Sequence, residues 1–83
     1  MRIFKMTAIP LSAANRGDRC LVLEVAQNPA ELKSRLYALG VIPGVAIEIL
    51  RLAPLGDPMQ IKVGGSFLSI RKCDAEIIKV EVR

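Results

Sequence analysis

Apolar and polar residues alternate along five short stretches of this chain. In a β-strand, successive side chains point to opposite faces, so alternation is typical of strands that bury one face. The alternation predicts strands over residues 20–26, 45–53, 59–63, 66–71 and 78–82. Five short strands in a chain of this length favour a mainly β fold, a small closed or nearly closed barrel.

A longer period follows the first strand and predicts one short α-helix over residues 28–39. Asn28 is the expected N-cap, Pro29 the first helical residue, and Glu31 the residue that completes a capping box. Leucines at helical spacing form the expected buried face: Leu32, Leu36 and Leu39. An isolated helix of about three turns is marginal in water, so packing against the strands must hold it.

Glycine and proline mark the turns between these elements. Gly40 can take the left-handed conformation that ends a helix. Pro43-Gly44 fits the central positions of a type II turn, and Gly64-Gly65 fits a two-residue hairpin of the primed kind. Residues 54–58, with a proline at each end, predict a stiff loop.

Length and composition describe one domain with a small core. The chain has 83 residues, of which 52% are apolar, and its aromatic residues are one Tyr and two Phe. We expect an N-terminal extension over residues 1–10 and the folded domain over residues 11–83. The net charge of +4 and the pI near 9.5 admit a nucleic-acid-binding module as an alternative function. However, the basic residues are scattered among acids, and the longest basic run in the barrel is Arg71-Lys72, so we expect no nucleic-acid partner.

No residue pattern for catalysis or metal binding is found. The chain has no histidine, which removes the usual general base and the commonest metal ligand. A site made of carboxylates and thiols stays open, with these candidates: Cys20, Asp57, Cys73, Asp74 and Glu76. The expectation is a protein that is not an enzyme, with no catalytic residue, no metal ligand and no cofactor. With two separate cysteines and no apolar stretch of membrane-spanning length, we expect a cytoplasmic protein with reduced thiols and no membrane insertion.

Apolar and charged residues in the predicted turns are the candidates for partner binding. Val41, Ile42 and Leu55 stand where polar residues would serve solubility better, and closure of the barrel end is the competing explanation. The full set of candidates also includes stiff-loop residues and the basic corner after the fourth strand: Val41, Ile42, Pro54, Leu55, Asp57, Arg71 and Lys72.

Four segments carry a family resemblance: LYALGVIPG at residues 36–44, APLGDP at 53–58, LSIRK at 68–72, and the Ala-Glu pair at 75–76. Together they resemble the FeoA family, small cytoplasmic components of bacterial ferrous iron uptake systems, over roughly residues 11–82.

The resemblance implies an SH3-like barrel of five strands with one short helix. It also implies an accessory role beside the membrane ferrous iron permease, which has a cytoplasmic GTPase domain. The same module resembles the C-terminal SH3-like domain of metal-dependent repressors, so a regulatory module is the alternative. Capture of a proline-rich peptide and a metallochaperone role are weaker alternatives. Iron binding by the chain itself, a weak homo-oligomer and the contact surface stay open.

We predict that this chain binds Fe²⁺ only weakly, because carboxylates without histidine or paired thiols make a poor site for it. Anaerobic calorimetry is expected to find no site tighter than the high micromolar range, and a chelator is expected to leave the melting temperature unchanged. A tight, stoichiometric Fe²⁺ isotherm would contradict this prediction.

Overall fold

In the computed structural model, which describes residues 8–83, six strands form one antiparallel sheet. The strands are β1 (Ala8–Pro10), β2 (Arg19–Val25), β3 (Ala46–Leu52), β4 (Met59–Val63), β5 (Ser66–Ile70) and β6 (Ile78–Val82). Their order across the sheet is β1-β6-β2-β3-β4-β5. The helices are α1 (Ala30–Ala38) and the single turn α2 (Lys72–Ala75), and short 3-10 turns span Leu11–Ala13 and Pro54–Gly56.

The five predicted strands are confirmed, and β1 is an additional one. It has only three residues and ends in a proline, too short a run for alternation to be visible. It forms because the free edge of β6 supplies its hydrogen-bond partners, with Ile9 opposite Val80. The expected extension over residues 1–10 therefore includes a strand, and residues 1–7 lie outside the described part of the chain. Within that part, the sheet order has two ends, β1 and β5, so of the two predicted forms, closed or nearly closed, the fully closed one is excluded.

The core lies on one face of the sheet, and a β-bulge decides which residues of β2 face it. Strict alternation along this strand predicts that Leu21, Leu23 and Val25 share one face. The register against β6 shifts between Val22 and Glu24, so one extra residue enters β2 at this point. As a result the buried residues of this strand are Cys20, Val22 and Val25.

Helix α1 starts one residue later than predicted, and the capping box is wrong. Pro29 has an extended backbone (φ −75°, ψ 141°), and its carbonyl accepts the first helical hydrogen bond, from the Lys33 N–H at 3.1 Å. Pro29 is therefore the N-cap, with no side-chain cap, and Ala30 is the first helical residue. Glu31 consequently lies one position too early to close a capping box.

A Schellman motif ends α1 and corrects two predictions. Gly40 has φ 95°, its N–H donates to the Tyr37 carbonyl at 3.0 Å, and the Val41 N–H donates to the Leu36 carbonyl at 2.9 Å. This turn puts Val41 at 0% exposure, so of the two explanations left open for Val41, burial at the barrel end holds and exposure to a partner does not. Leu39 is 46% exposed, so its place on the buried helix face is also wrong.

Both predicted tight turns are confirmed. The Val45 N–H donates to the Ile42 carbonyl at 3.2 Å, and Gly44 has φ 92°, as a type II turn requires at its third residue. In the hairpin between β4 and β5, Gly64 alone of the two glycines has a positive φ, 60°, which is the type II′ pattern.

We predict that Leu36→Ala lowers the free energy of unfolding by about 2–5 kcal/mol, because it truncates a core residue. Leu36 is 3% exposed, whereas its neighbour Tyr37 is 38% exposed. Tyr37→Ala is the matched control and is expected to cost clearly less. Urea unfolding of the two variants measures both values, and equal midpoints near that of the wild type would contradict this packing of α1.

Candidate partner-binding surface

Leu55 is the most exposed large apolar side chain of the described residues, at 98% exposure. It lies in the 3-10 turn after β3 and has φ 68° and ψ 10°, the left-handed region that leucine rarely adopts. Such a conformation costs about 1–2 kcal/mol for a residue with a Cβ. The fold therefore bears a cost at Leu55 and gains no burial from its side chain.

Asp57 holds this loop against the start of α2. Its Oδ1 accepts a hydrogen bond from the Lys72 backbone N–H at 3.0 Å, and the Ala53 N–H donates to the Pro58 carbonyl at 3.1 Å. A Cβ on Gly56 would lie 3.8 Å from the Lys72 Nζ. The structure therefore brings the stiff loop and the basic corner together, with these candidate residues: Pro54, Leu55, Asp57, Arg71 and Lys72.

Ile42 lies elsewhere. It is 42% exposed in the type II turn, and this turn lies beside the Val63 end of β4, where a Cβ on Gly40 would be 3.7 Å from Val63 Cγ1. The Leu55 loop precedes Met59, at the opposite end of the same strand. Five strand residues separate the two ends by roughly 13 Å. The two turns that were grouped as one candidate surface are thus separate.

A cleft of about 250 Å³ lies between α1 and the edge strand β5, and sequence reasoning missed it. The leucines Leu32, Leu36, Leu39 and Leu68 line it together with Ser69 and Ile70, and its polar residues are Arg35, Arg71 and Asp74. Arg71 therefore belongs to both the cleft and the basic corner. One sequence feature could have indicated the cleft: Leu39 directly precedes Gly40. The residue before a helix-ending glycine is the C-cap, and it turns away from the helix face that the preceding leucines share.

The charged side chains at the cleft interact only weakly with other described residues. Arg35 Nη2 and Asp74 Oδ2 are 3.9 Å apart, and both side chains reach solvent, so this ion pair contributes little to stability. Arg71 forms no ion pair within residues 8–83. Its charge is therefore available to a ligand at the rim of the cleft.

The metal candidates do not converge in the described part of the chain. No group of three His, Cys, Asp or Glu side chains among residues 8–83 is placed to hold a metal ion. Cys73 Sγ lies 3.7 Å from Asp74 Oδ1, but Cys20 is buried in the core. Burial, with a smaller contribution from Asp18, raises the pKa of the Cys20 thiol to about 11, so this thiol stays protonated at neutral pH. Within the same residues, no helix has the length and apolar character needed to cross a bilayer.

This chain is similar to proteins of known structure and to a curated relative. An FeoA protein of solved structure from Chlorobium tepidum is 40% identical, with a TM-score of 0.78, over 89% of this chain and 70% of that one. Stenotrophomonas maltophilia FeoA, described as an SH3 domain protein and solved with zinc, is 23% identical with a TM-score of 0.75, over 86% and 87% of the two chains, and it shows the fold alone. A fusion of Fe(2+) transport protein A and the Fe(2+) transporter FeoB from Porphyromonas gingivalis is 29% identical over 72 residues, or 87% of this chain.

These matches cover different shares of the related proteins. The chain spans only 8% of the length of the fusion protein, so the match concerns one domain of that relative. The FeoA domain family model matches residues 9–82, which is nearly the whole described chain and includes Ile9 and Pro10 of β1. The mainly β, SH3-like architecture expected from the sequence is confirmed by these structures. The chain belongs to the FeoA domain family.

Proposed function

We propose that this protein is a non-enzymatic accessory of ferrous iron uptake that acts in the cytoplasm by binding the cytoplasmic part of the Fe(2+) transporter. The observation that carries the proposal is the Porphyromonas gingivalis relative, in which a segment similar to this chain is part of one protein with the transporter FeoB. Covalent linkage of two domains gives each a high effective concentration at the other. A domain that is not covalently linked to the transporter needs a binding surface to reach the same position.

The non-enzymatic part of the proposal rests on side-chain chemistry. General acid–base and nucleophilic catalysis need a group that titrates near neutral pH or a nucleophile activated by a neighbouring base. The chain has no histidine, and the Cys20 thiol is buried and protonated at neutral pH. A binding role makes no such demand.

The Leu55 loop is the proposed contact with the transporter. Asp57 and the two prolines hold the loop in shape before binding, which lowers the entropy lost on association. An apolar side chain that is presented by a rigid loop and makes no contribution to the core suits the role of a central anchor. The neighbouring Arg71 and Lys72 would favour an acidic surface on the transporter.

The charges on the sheet do not support the alternative function, nucleic-acid binding. On the outer face of the sheet, Arg19 lies opposite Glu48, and Glu48 lies opposite Lys62 on the other side. This alternation of charge gives no continuous basic surface for a phosphate backbone.

We predict that Leu55→Asp abolishes co-purification with the cytoplasmic domain of the transporter and impairs ferrous iron uptake in cells lacking the native copy. Loss of an interface anchor costs about 2 kcal/mol or more, or roughly thirtyfold in Kd. The melting temperature is expected to stay within a few degrees of wild type, because the side chain is exposed and aspartate adopts the left-handed conformation more readily than leucine.

Ser34→Asp is the control, because it adds the same charge at an exposed position on α1. It is expected to bind and transport like the wild type. A Leu55→Asp protein that is badly destabilised yet binds once folded would show that Leu55 closes the barrel end. The interaction surface would then be sought first around Arg71 and Lys72.

A further inference from the structure

Strand β5 presents backbone groups that the sheet does not use. Ile49 in β3 directs its N–H and carbonyl to Asp18 and Gly17, at 2.9 and 2.8 Å, and therefore away from Ile61 in β4. Because pairs alternate along an antiparallel ladder, Ile61 directs its own groups to Leu68 in β5. The N–H and carbonyl groups of the residues on either side of Leu68 must then point away from β4.

Those two residues are Phe67 and Ser69, and both are exposed. Strand β5 ends the sheet, and among the backbone hydrogen bonds outside the strand ladders and helices of residues 8–83, none involves Phe67 or Ser69. Two donors and two acceptors are thus directed at the open edge, with the spacing of a strand.

Strand β5 also lacks the features that usually protect an exposed edge strand. Exposed edge strands carry charges, prolines or bulges that discourage pairing with another chain. The sequence of β5 is SFLSI, without charge or proline, and its register with β4 runs unbroken from Val63↔Ser66 to Met59↔Ile70. Phe67 is 70% exposed on the outer face, with the Lys62 Nζ 5.8 Å from its ring centroid.

The cleft described above borders the same edge and indicates the chemistry of an occupant. Leu68 and Ser69 line the cleft, with Leu39 on the opposite wall. A strand placed beside β5 would direct alternate side chains into this leucine-lined space. Arg71, unpaired by any carboxylate of residues 8–83, lies where β5 ends and would meet an acidic side chain of that strand.

We propose that β5 is a strand-addition site. An extended segment of the transporter's cytoplasmic part pairs with Phe67 and Ser69. This segment places an apolar side chain in the cleft and an acidic side chain at Arg71. The identity of the partner rests on the proposed function, and the strand pairing extends it from a single anchor to a defined mode of binding. A second copy of this chain is disfavoured as the occupant, because each copy carries a net charge of +4.

Amide hydrogen exchange with and without the purified cytoplasmic domain of the transporter tests the pairing in the wild-type protein. Exchange at Phe67 and Ser69 is expected to slow about tenfold or more on binding, as new hydrogen bonds protect these amides. The Leu68 amide, already bonded within the ladder, is the internal reference and is expected to change far less.

Two substitutions at one position test the backbone contact. Ser69→Pro removes the outward N–H, and Ser69→Ala keeps it, while neither removes a ladder donor to β4. Ser69→Pro is expected to weaken binding about tenfold or more and Ser69→Ala to bind like the wild type. Arg71→Glu is expected to weaken binding as well, and more strongly at low salt. If Ser69→Pro fails to fold, the exchange result on the wild type decides.

The possible results distinguish strand addition at β5 from the proposed function on which it rests. If the wild type binds the transporter domain but Phe67 and Ser69 exchange as in the free protein, strand addition is wrong and the proposed function stands. If the wild type does not bind at all, both are wrong. If the two amides become protected without the transporter as protein concentration rises, a second copy occupies the edge and strand addition by the transporter is wrong.

Discussion

The hydrogen bond from the Val41 N–H to the Leu36 carbonyl, 2.9 Å long, fixes the turn that ends α1. It closes the Schellman motif around Gly40 and buries both partners, Leu36 at 3% and Val41 at 0% exposure. A helix of nine residues has little intrinsic stability, so this connection and the core contacts behind it must hold it in place. The same turn directs Leu39 outwards. The wall of the cleft is therefore a consequence of how the helix ends.

A second connection, from Asp57 to the Lys72 backbone, places the other half of the candidate surface. It brings the loop after β3 to the start of α2, which follows β5 in sequence. The loop then holds Leu55 in a left-handed conformation with its side chain in solvent. Strained residues that contribute nothing to packing are found at functional sites more often than elsewhere. In this protein the strain, the exposure and the neighbouring positive charge coincide.

The loop and the cleft meet at Arg71, so the two proposed contacts lie on one side of the molecule. They differ in chemistry, because the loop presents a rigid apolar side chain and β5 presents backbone donors and acceptors. An interface that combines an anchor with strand pairing gains affinity from the first and orientation from the second. Such an arrangement suits an SH3-like domain whose relative in Porphyromonas gingivalis is part of the same protein as a transporter.

The sequence by itself determined the elements whose causes are local. Alternation predicted five strands, and Gly44 and Gly64 marked turns that require positive φ, because pleating and steric limits act over a few residues. The tertiary structure decided what depends on distant partners. Strand β1 exists because β6 has a free edge, and the bulge in β2 moved its buried face because β6 sets the register. Val41 is buried and Leu39 exposed because the sheet lies beneath the end of α1. Only folding brings together the Leu55 loop, Arg71 and the cleft, because Asp57 and Lys72 are fifteen residues apart in sequence.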